Sequence, residues 1–402
     1  MSPETFAEEY VRLALSIDQH LPGYIDAYLG PAEWKAHAKS QGAQPLSELA
    51  GRVAALANAI GNARGVPSER KEFLARHVTA MRISVRLLRG EKLPLADEVL
   101  ALYDVLPAWT DEAHFEDAQR QLDELLPRGA TLLERMTARN KALEISVEQA
   151  GDLLPRIHDR LRALTRERFP LPEQEAVDFV FVKDKPWGAY NWFLGGGRSR
   201  VELNTDLPLR LNSLVNLVAH EAYPGHHTEL SIKHSRLFQQ AGRLEHAALL
   251  INSPSCVVSE GIATAALSII LPEEDLLNWY SGELFPRASL QGLDARREHM
   301  IDQSLLTLYA ARGNAAFMLH DRGVEADELT RYLQRYELRT EQEARKTIEF
   351  LGNPLYRSYV FTYTLGRDML TALFAKGRDV THWYMRLLTE AVIPAQIRRW
   401  EA

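Results

Sequence analysis

The sequence predicts a mainly α-helical protein with one small antiparallel β-sheet. Two observations carry this expectation. Over most of the 402 residues, apolar side chains recur at spacings of three and four. One stretch, 177–205, alternates with a period of two and is rich in β-branched and aromatic residues. No internal repeat or low-complexity segment points to another architecture.

Taken in order, residues 66–89 place Phe73, Leu74, His77, Val78, Met81, Val85 and Leu88 on one helical face. Asp111 and Ser146 each precede an acidic first turn and are expected as N-caps. Amphipathic runs span 143–168 and 289–311. The segment FPLPEQEA (169–176) carries two prolines, which sets a boundary between a helical N-terminal region, 1–170, and a second region, 171–402. In the second region VDFVFV (177–182) and SRVELNT (199–205) are expected to pair as antiparallel strands, with Gly195, Gly196 and Gly197 in a turn. That glycine run lacks the following helix and lysine of a phosphate-cradling loop. Residues 209–221 (LRLNSLVNLVAHE) predict a helix whose apolar face, Leu214, Leu217 and Val218, runs into His220. Pro254 opens a further helix that carries Glu260.

Bulk properties narrow the function. The net charge of −7 argues against a nucleic-acid binder driven by overall charge. The single cysteine, Cys256, allows no disulfide within the chain and no Cys-x-x-Cys metal site, and is expected as a small core residue. The N-terminal stretch MSPETFAEEYVRLAL is acidic where a signal peptide is basic, and no run reaches the ~18 apolar residues of a membrane span. The expectation is a cytoplasmic protein without a membrane partner. No heptad run predicts a coiled-coil dimer, and the oligomeric state is not legible.

The segment HEAYPGHH (220–227) begins like the zinc-hydrolase motif H-E-x-x-H, but Pro224 stands where the second histidine belongs. In a regular helix His226 would lie ~9 Å along the axis on the wrong side, and His227 ~10.5 Å away. The helix is not expected to stay regular. Pro224 cannot bond to the His220 carbonyl, and Gly225 permits unusual backbone angles. If these two residues act as an insertion, His226 takes the second histidine's role, with His227 as the alternate ligand. Glu260, among Val257, Val258, Ile262 and Ala263, is costly to bury without a partner, and a metal would be one.

The two segments together resemble a bacterial family known as domain of unknown function 885, grouped with gluzincin-type metallopeptidases. The matching pieces are HEAYPGHH, SEGIA about forty residues later and VELNTDLP before the motif, with AARGNAAFMLHDRG, ADELTRYL and YTLGRDML further on. The resemblance spans about 175 to 375. Ile262 departs from it, since the family usually carries a bulky aromatic after Glu-Gly. The resemblance implies a zincin-like metallopeptidase fold and a Zn2+ site made of His220, His226 and Glu260.

The expected chemistry is hydrolysis of a peptide or small amide. Glu221 would act as general base, and Tyr363, heading a Tyr-x-x-Gly segment, would stabilise the oxyanion. Tyr359 and Arg367 lie one turn either side of Tyr363. His227 is expected to contact the substrate, and the strand 199–205 to hold an extended peptide by edge pairing. Two other readings compete. One is a hydrolase of a non-peptide amide or ester. The other is a non-catalytic helical protein with structural zinc, closed by His234 or His246 as fourth ligand.

Overall fold

The expected caps set the helix starts. The Asp111 side chain accepts the amide of Ala113. Ser146 and Gln149 form a reciprocal capping box that opens the helix Val147–Arg168. The computed structural model describes residues 3–185, 187–206, 208–376 and 379–401, and it is mainly helical. In the helix Ser68–Leu88, six of the seven expected core side chains are buried and Leu88 is partly so. The 289–311 run forms the helix Ala295–Leu308, capped by Asp294. The helix expected from 209 begins instead at Leu211, because Leu209–Arg210 pair with Glu144–Ile145 as two short antiparallel strands.

The principal sheet differs from expectation. Seven strands are described: β1 (Ile25–Tyr28), β2 (Glu144–Ile145), β3 (Ala176–Val182), β4 (Ala189–Gly195), β5 (Arg198–Asn204), β6 (Leu209–Arg210) and β7 (Ala248–Leu250). The three-stranded sheet has the order β3-β5-β4, with β3 parallel to β5 and β4 antiparallel to it. The intervening segment AYNWFLG is itself a strand. It turns tightly through Gly196 and Gly197, both with positive φ, and takes one edge of β5. β3 is left the other edge, where it runs parallel.

Of four apolar clusters among the described residues, two hold most of the buried side chains. The larger packs β5 and the helices Leu211–Glu221, Pro254–Ile270 and Val360–Phe374 with residues from either side of position 170, among them Ile83, Val99, Leu102 and Leu153. The smaller joins the helices Pro3–Asp18, Leu46–Gly61 and Ser68–Leu88 to Ala247, Ala248 and Leu250. The β1–β7 pair draws the N-terminal segment against the residues that lead into Pro254–Ile270. That helix crosses Val360–Phe374 at two glycines. A Cβ on Gly261 would lie 2.7 Å from the Gly366 carbonyl oxygen, and one on Gly366 would lie 2.5 Å from that of Val257. Among the described residues no single helix is long and apolar enough to cross a membrane.

Candidate metal centre

The helix Leu211–Glu221 buries Leu211, Leu214, Val215, Val218 and Ala219, so His220 and Glu221 arrive at its end with a fixed orientation. The chain then changes its hydrogen-bond step. The amide of Gly225 donates to the Ala219 carbonyl (3.0 Å) and that of Thr228 to the Ala222 carbonyl (3.2 Å). Both bonds reach back six residues where an α-helix reaches four. Pro224 and Gly225 are thus two extra residues in the ladder. The next helix, His226–Lys233, starts at once. The Tyr384 hydroxyl, 3.1 Å from the carbonyls of both Pro224 and Ile262, ties this turn to the helix that carries Glu260. The Tyr223–Pro224 peptide is cis.

The turn brings His226 beside His220, with ring centroids 4.8 Å apart and nearly perpendicular. Ligand atoms of His220, His226 and Glu260 all lie within 4.8 Å of one another. His220 Nε2 is 3.5 Å from Glu260 Oε2, and His226 Nε2 is 3.6 Å from Oε1. These separations are long for hydrogen bonds. They match the ~3.4 Å edge of a tetrahedron whose corners lie ~2.1 Å from a shared ion.

The surroundings support the same fit. Glu260 is 4% exposed, and its Oε2 has no hydrogen-bond partner. The Tyr359 hydroxyl donates to Oε1 and fixes the carboxylate. His226 Nδ1 meets Ser259 Oγ at 3.1 Å, while Ser259 donates its one proton to Glu229 (2.5 Å), which also accepts from Lys233 (2.6 Å). With its proton committed, Ser259 accepts from Nδ1–H, and Nε2 turns its lone pair to the cluster. Burial disfavours a charged His226, but Glu260, Glu221 and Glu229 outweigh it and lift its pKa to about 9. Burial likewise opposes ionisation of Glu260, and His226 and His220 overcome it, holding the carboxyl well below the usual range. A concentration of negative charge that attracts a proton attracts a divalent cation by the same field.

The three residues line a cavity of about 240 Å3 that Glu221, Tyr359 and Tyr363 also border. Tyr363 is 39% exposed and sets its ring edge against Tyr359, 5.4 Å between centroids. Arg367 points elsewhere, to the Leu306 carbonyl and Asp368. Cys256 borders the cavity as a thiol, since burial and the charge of Glu260 push its pKa up. His234 packs on Phe193 and Phe238, and His246 on Phe73, so neither closes the cluster as a fourth ligand.

Two expectations are corrected here. His227 neither joins the cluster nor borders the cavity. It is fully buried, with Nε2 3.0 Å from Glu175 and Nδ1 2.8 Å from Ser199. One step along a helix turns a side chain by about 100°, so adjacent histidines cannot both face the cavity. Glu175 also accepts from Arg162, Arg166 and Tyr223 and anchors the turn from beneath. Nor does β5 offer an edge for pairing, because β3 and β4 flank it. The edge strands are β3 and β4; β4 borders the cavity, and its Asn191 donates its amide to the Glu221 carbonyl. Among residues not anticipated, Glu229 stands three places after His226, on the same helical face, which is a usable signal. Ser259 offered only its adjacency to Glu260, and Asp26, another cavity residue, offered none.

The sequence matches no protein-family model and no curated protein. Its fold is found in solved structures. A candidate lipoprotein from Colwellia psychrerythraea superposes with a TM-score of 0.55 at 14% identity, covering 91% of this chain and 68% of that one. A candidate lipoprotein of unknown function from Shewanella oneidensis gives 0.52 at 11% identity, covering 91% and 75%. At these identities the likeness is one of fold alone.

Proposed function

We propose that the protein is a zinc-dependent hydrolase of short peptides, built on a variant of the zincin plan. The observation that carries this reading is the donor set: two imidazole nitrogens, one oriented by Ser259, beside a buried carboxylate, His226 near Oε1 and His220 near Oε2, the latter oxygen without a hydrogen-bond partner. Three protein ligands with no fourth among the described residues suit a catalytic site better than a structural one. A zinc ion held by His220, His226 and Glu260 would supply Lewis acidity and lower the pKa of a water in its open position. Glu221, bordering the same cavity, takes the proton of the attacking water and later passes it to the leaving amine. Tyr363 donates its hydroxyl to the carbonyl oxygen as negative charge develops there. β4, which among the described residues has no strand on its outer side, offers main-chain groups to an extended substrate.

Metal analysis of the purified protein, followed by digestion of a peptide library with and without chelator, tests this. Stoichiometric zinc and chelator-sensitive cleavage are expected. Glu221→Gln should keep the zinc and abolish hydrolysis. Full activity in that variant, or a protein that takes up no zinc, overturns the proposal.

A further inference from the structure

A carboxylate from the N-terminal segment reaches the metal cavity. In the β1–β7 pair, Ile25 registers with Leu250 and Ala27 with Leu249, so Asp26 is the extra residue of a β-bulge. Bulges re-aim a side chain that regular pairing would send elsewhere. Asp26 borders the cavity that holds His220, His226 and Glu260. One of its oxygens accepts the hydroxyl of Tyr190, on β4. Among the described residues its other oxygen takes no hydrogen bond, and no arginine, lysine or histidine pairs with it. Burial raises the pKa of Asp26, the Tyr190 hydrogen bond works against that, and His226, Glu260 and Glu221 are close enough to act on it as well.

A second acceptor borders the same cavity, from β4. Asn191 is 8% exposed and borders the cavity. Its Nδ2 must face the Glu221 carbonyl, which can only accept, so the amide orientation is fixed. Its Oδ1 is then a buried acceptor without a donor. The neighbouring walls are aromatic. Trp187 and Tyr190 stand 5.1 Å apart, and Tyr356 is near enough for Asp26 to raise its pKa further than burial alone does. A carboxyl group with one oxygen free of hydrogen bonds and a buried, unsatisfied amide oxygen, in a cavity also lined by aromatic rings, suit a cation that only donates. A primary ammonium has three donors, and aromatic faces attract it.

We propose that Asp26 and Asn191 hold the free amino terminus of the substrate, which makes the site one for unblocked N-termini. What is cleaved rests on the hydrolase reading above; the amine recognition does not. A terminal ammonium anchored beside the metal cluster limits cleavage to the first bonds of a peptide. Tyr190 acts as a positioning residue, because its hydroxyl ties the bulged carboxylate to the edge strand.

Calorimetric titration of the zinc-loaded full chain with L-phenylalaninamide and with its N-acetyl derivative tests the binding. The free amine should bind at least about 30-fold more tightly, since truncating one partner of a buried charged pair commonly costs that much. Asp26→Asn should abolish the preference while zinc content and melting temperature hold. Tyr190→Phe, which keeps the carboxylate but frees it, should reduce the preference in part and serves if Asp26→Asn does not fold. Equal binding of the two probes, or a preference that survives Asp26→Asn, overturns the inference. Digestion of free and N-acetylated tripeptides separates the two proposals. Selective binding without cleavage leaves the amine site standing and removes the hydrolase. Cleavage indifferent to acetylation does the reverse.

Discussion

Gly225 is the position where a single methyl group should do most damage. A Cβ built there lies 1.9 Å from the His220 carbonyl oxygen and 2.5 Å from that of Ala219. Ordinary contact begins at 3.4 Å. Gly225→Ala therefore drives the turn apart by about 1.5 Å, and neither obstacle can rotate aside, because both are main chain at the end of the helix that carries His220. Overpacking generally costs 1–3 kcal/mol, and a rigid obstacle puts this case near the upper end, about 3 kcal/mol. The functional loss should be larger. His226 follows Gly225 directly, and ligand distances at a metal are held to about 0.2 Å. A shift of that size takes Nε2 out of the set, so zinc affinity should fall by at least about 100-fold, the upper range for disturbing even an outer partner. Chelator competition measures the affinity, and a thermal melt measures the stability. A variant that melts within about one degree of the wild type and binds zinc as tightly would refute the two-residue-insertion account of the turn.

Three further outcomes follow from the same geometry. Ser259→Ala removes the acceptor that turns His226 Nε2 to the cluster and should weaken zinc binding about 10- to 100-fold with little change in fold; unchanged affinity would discount the Ser259–Glu229 relay. His227→Ala should cost about 1–3 kcal/mol of stability through its lost bonds to Glu175 and Ser199, yet leave zinc content intact, and a variant that loses its zinc while still folded would return His227 to the ligand set. Glu175 provides a pH test. Burial opposes its ionisation, but His227, Tyr223 and Arg166 outweigh that and bring its pKa to about 2 from 4.5. A folded-state pKa below the unfolded one stabilises fully above pH 4.5 and loses that contribution as pH falls towards 2, on the order of 3 kcal/mol. The stability gap between wild type and Glu175→Gln should therefore shrink over that interval; a gap constant with pH would show that Glu175 acts through packing rather than charge.

What was legible in the sequence is what local physics decides. The face of Ser68–Leu88 follows from spacing alone, and Ser146 and Asp111 cap their helices because few other residues satisfy exposed amides there. The placement of His226 beside His220 also came from a local argument. A proline that cannot donate, followed by a residue without a Cβ, allows the helix to gain two residues and resume. The bonds from Gly225 to Ala219 and from Thr228 to Ala222 are that gain in its literal form. The Glu-Gly and Tyr-x-x-Gly pieces were visible, but their shared reason was not. Gly261 and Gly366 are needed by each other, at a crossing that no local pattern encodes.

What was missed depends on partners distant in the chain. His227 could be assigned to substrate only while Glu175, fifty-two residues earlier, was out of view. The strand 177–182 could be read as antiparallel to 199–205 only by overlooking that AYNWFLG would claim an edge first. Asp26 is the extreme case, since its position follows from a register shift between β1 and a strand more than two hundred residues away. A bulge of one residue decides which way a side chain points, and alternation in the sequence is blind to it. The proposed metal ligands and the proposed amine-binding residues therefore stand on different footings. The ligands come from three segments inside 220–260, two of them joined by one turn, and survive any fold that keeps that turn and its crossing helix. Asp26 reaches the cavity only where the N-terminal strand docks on β7. A change that loosens β1, such as loss of the Asp18 bond to the Ile25 amide, should then leave zinc binding intact while erasing the preference for a free amino terminus.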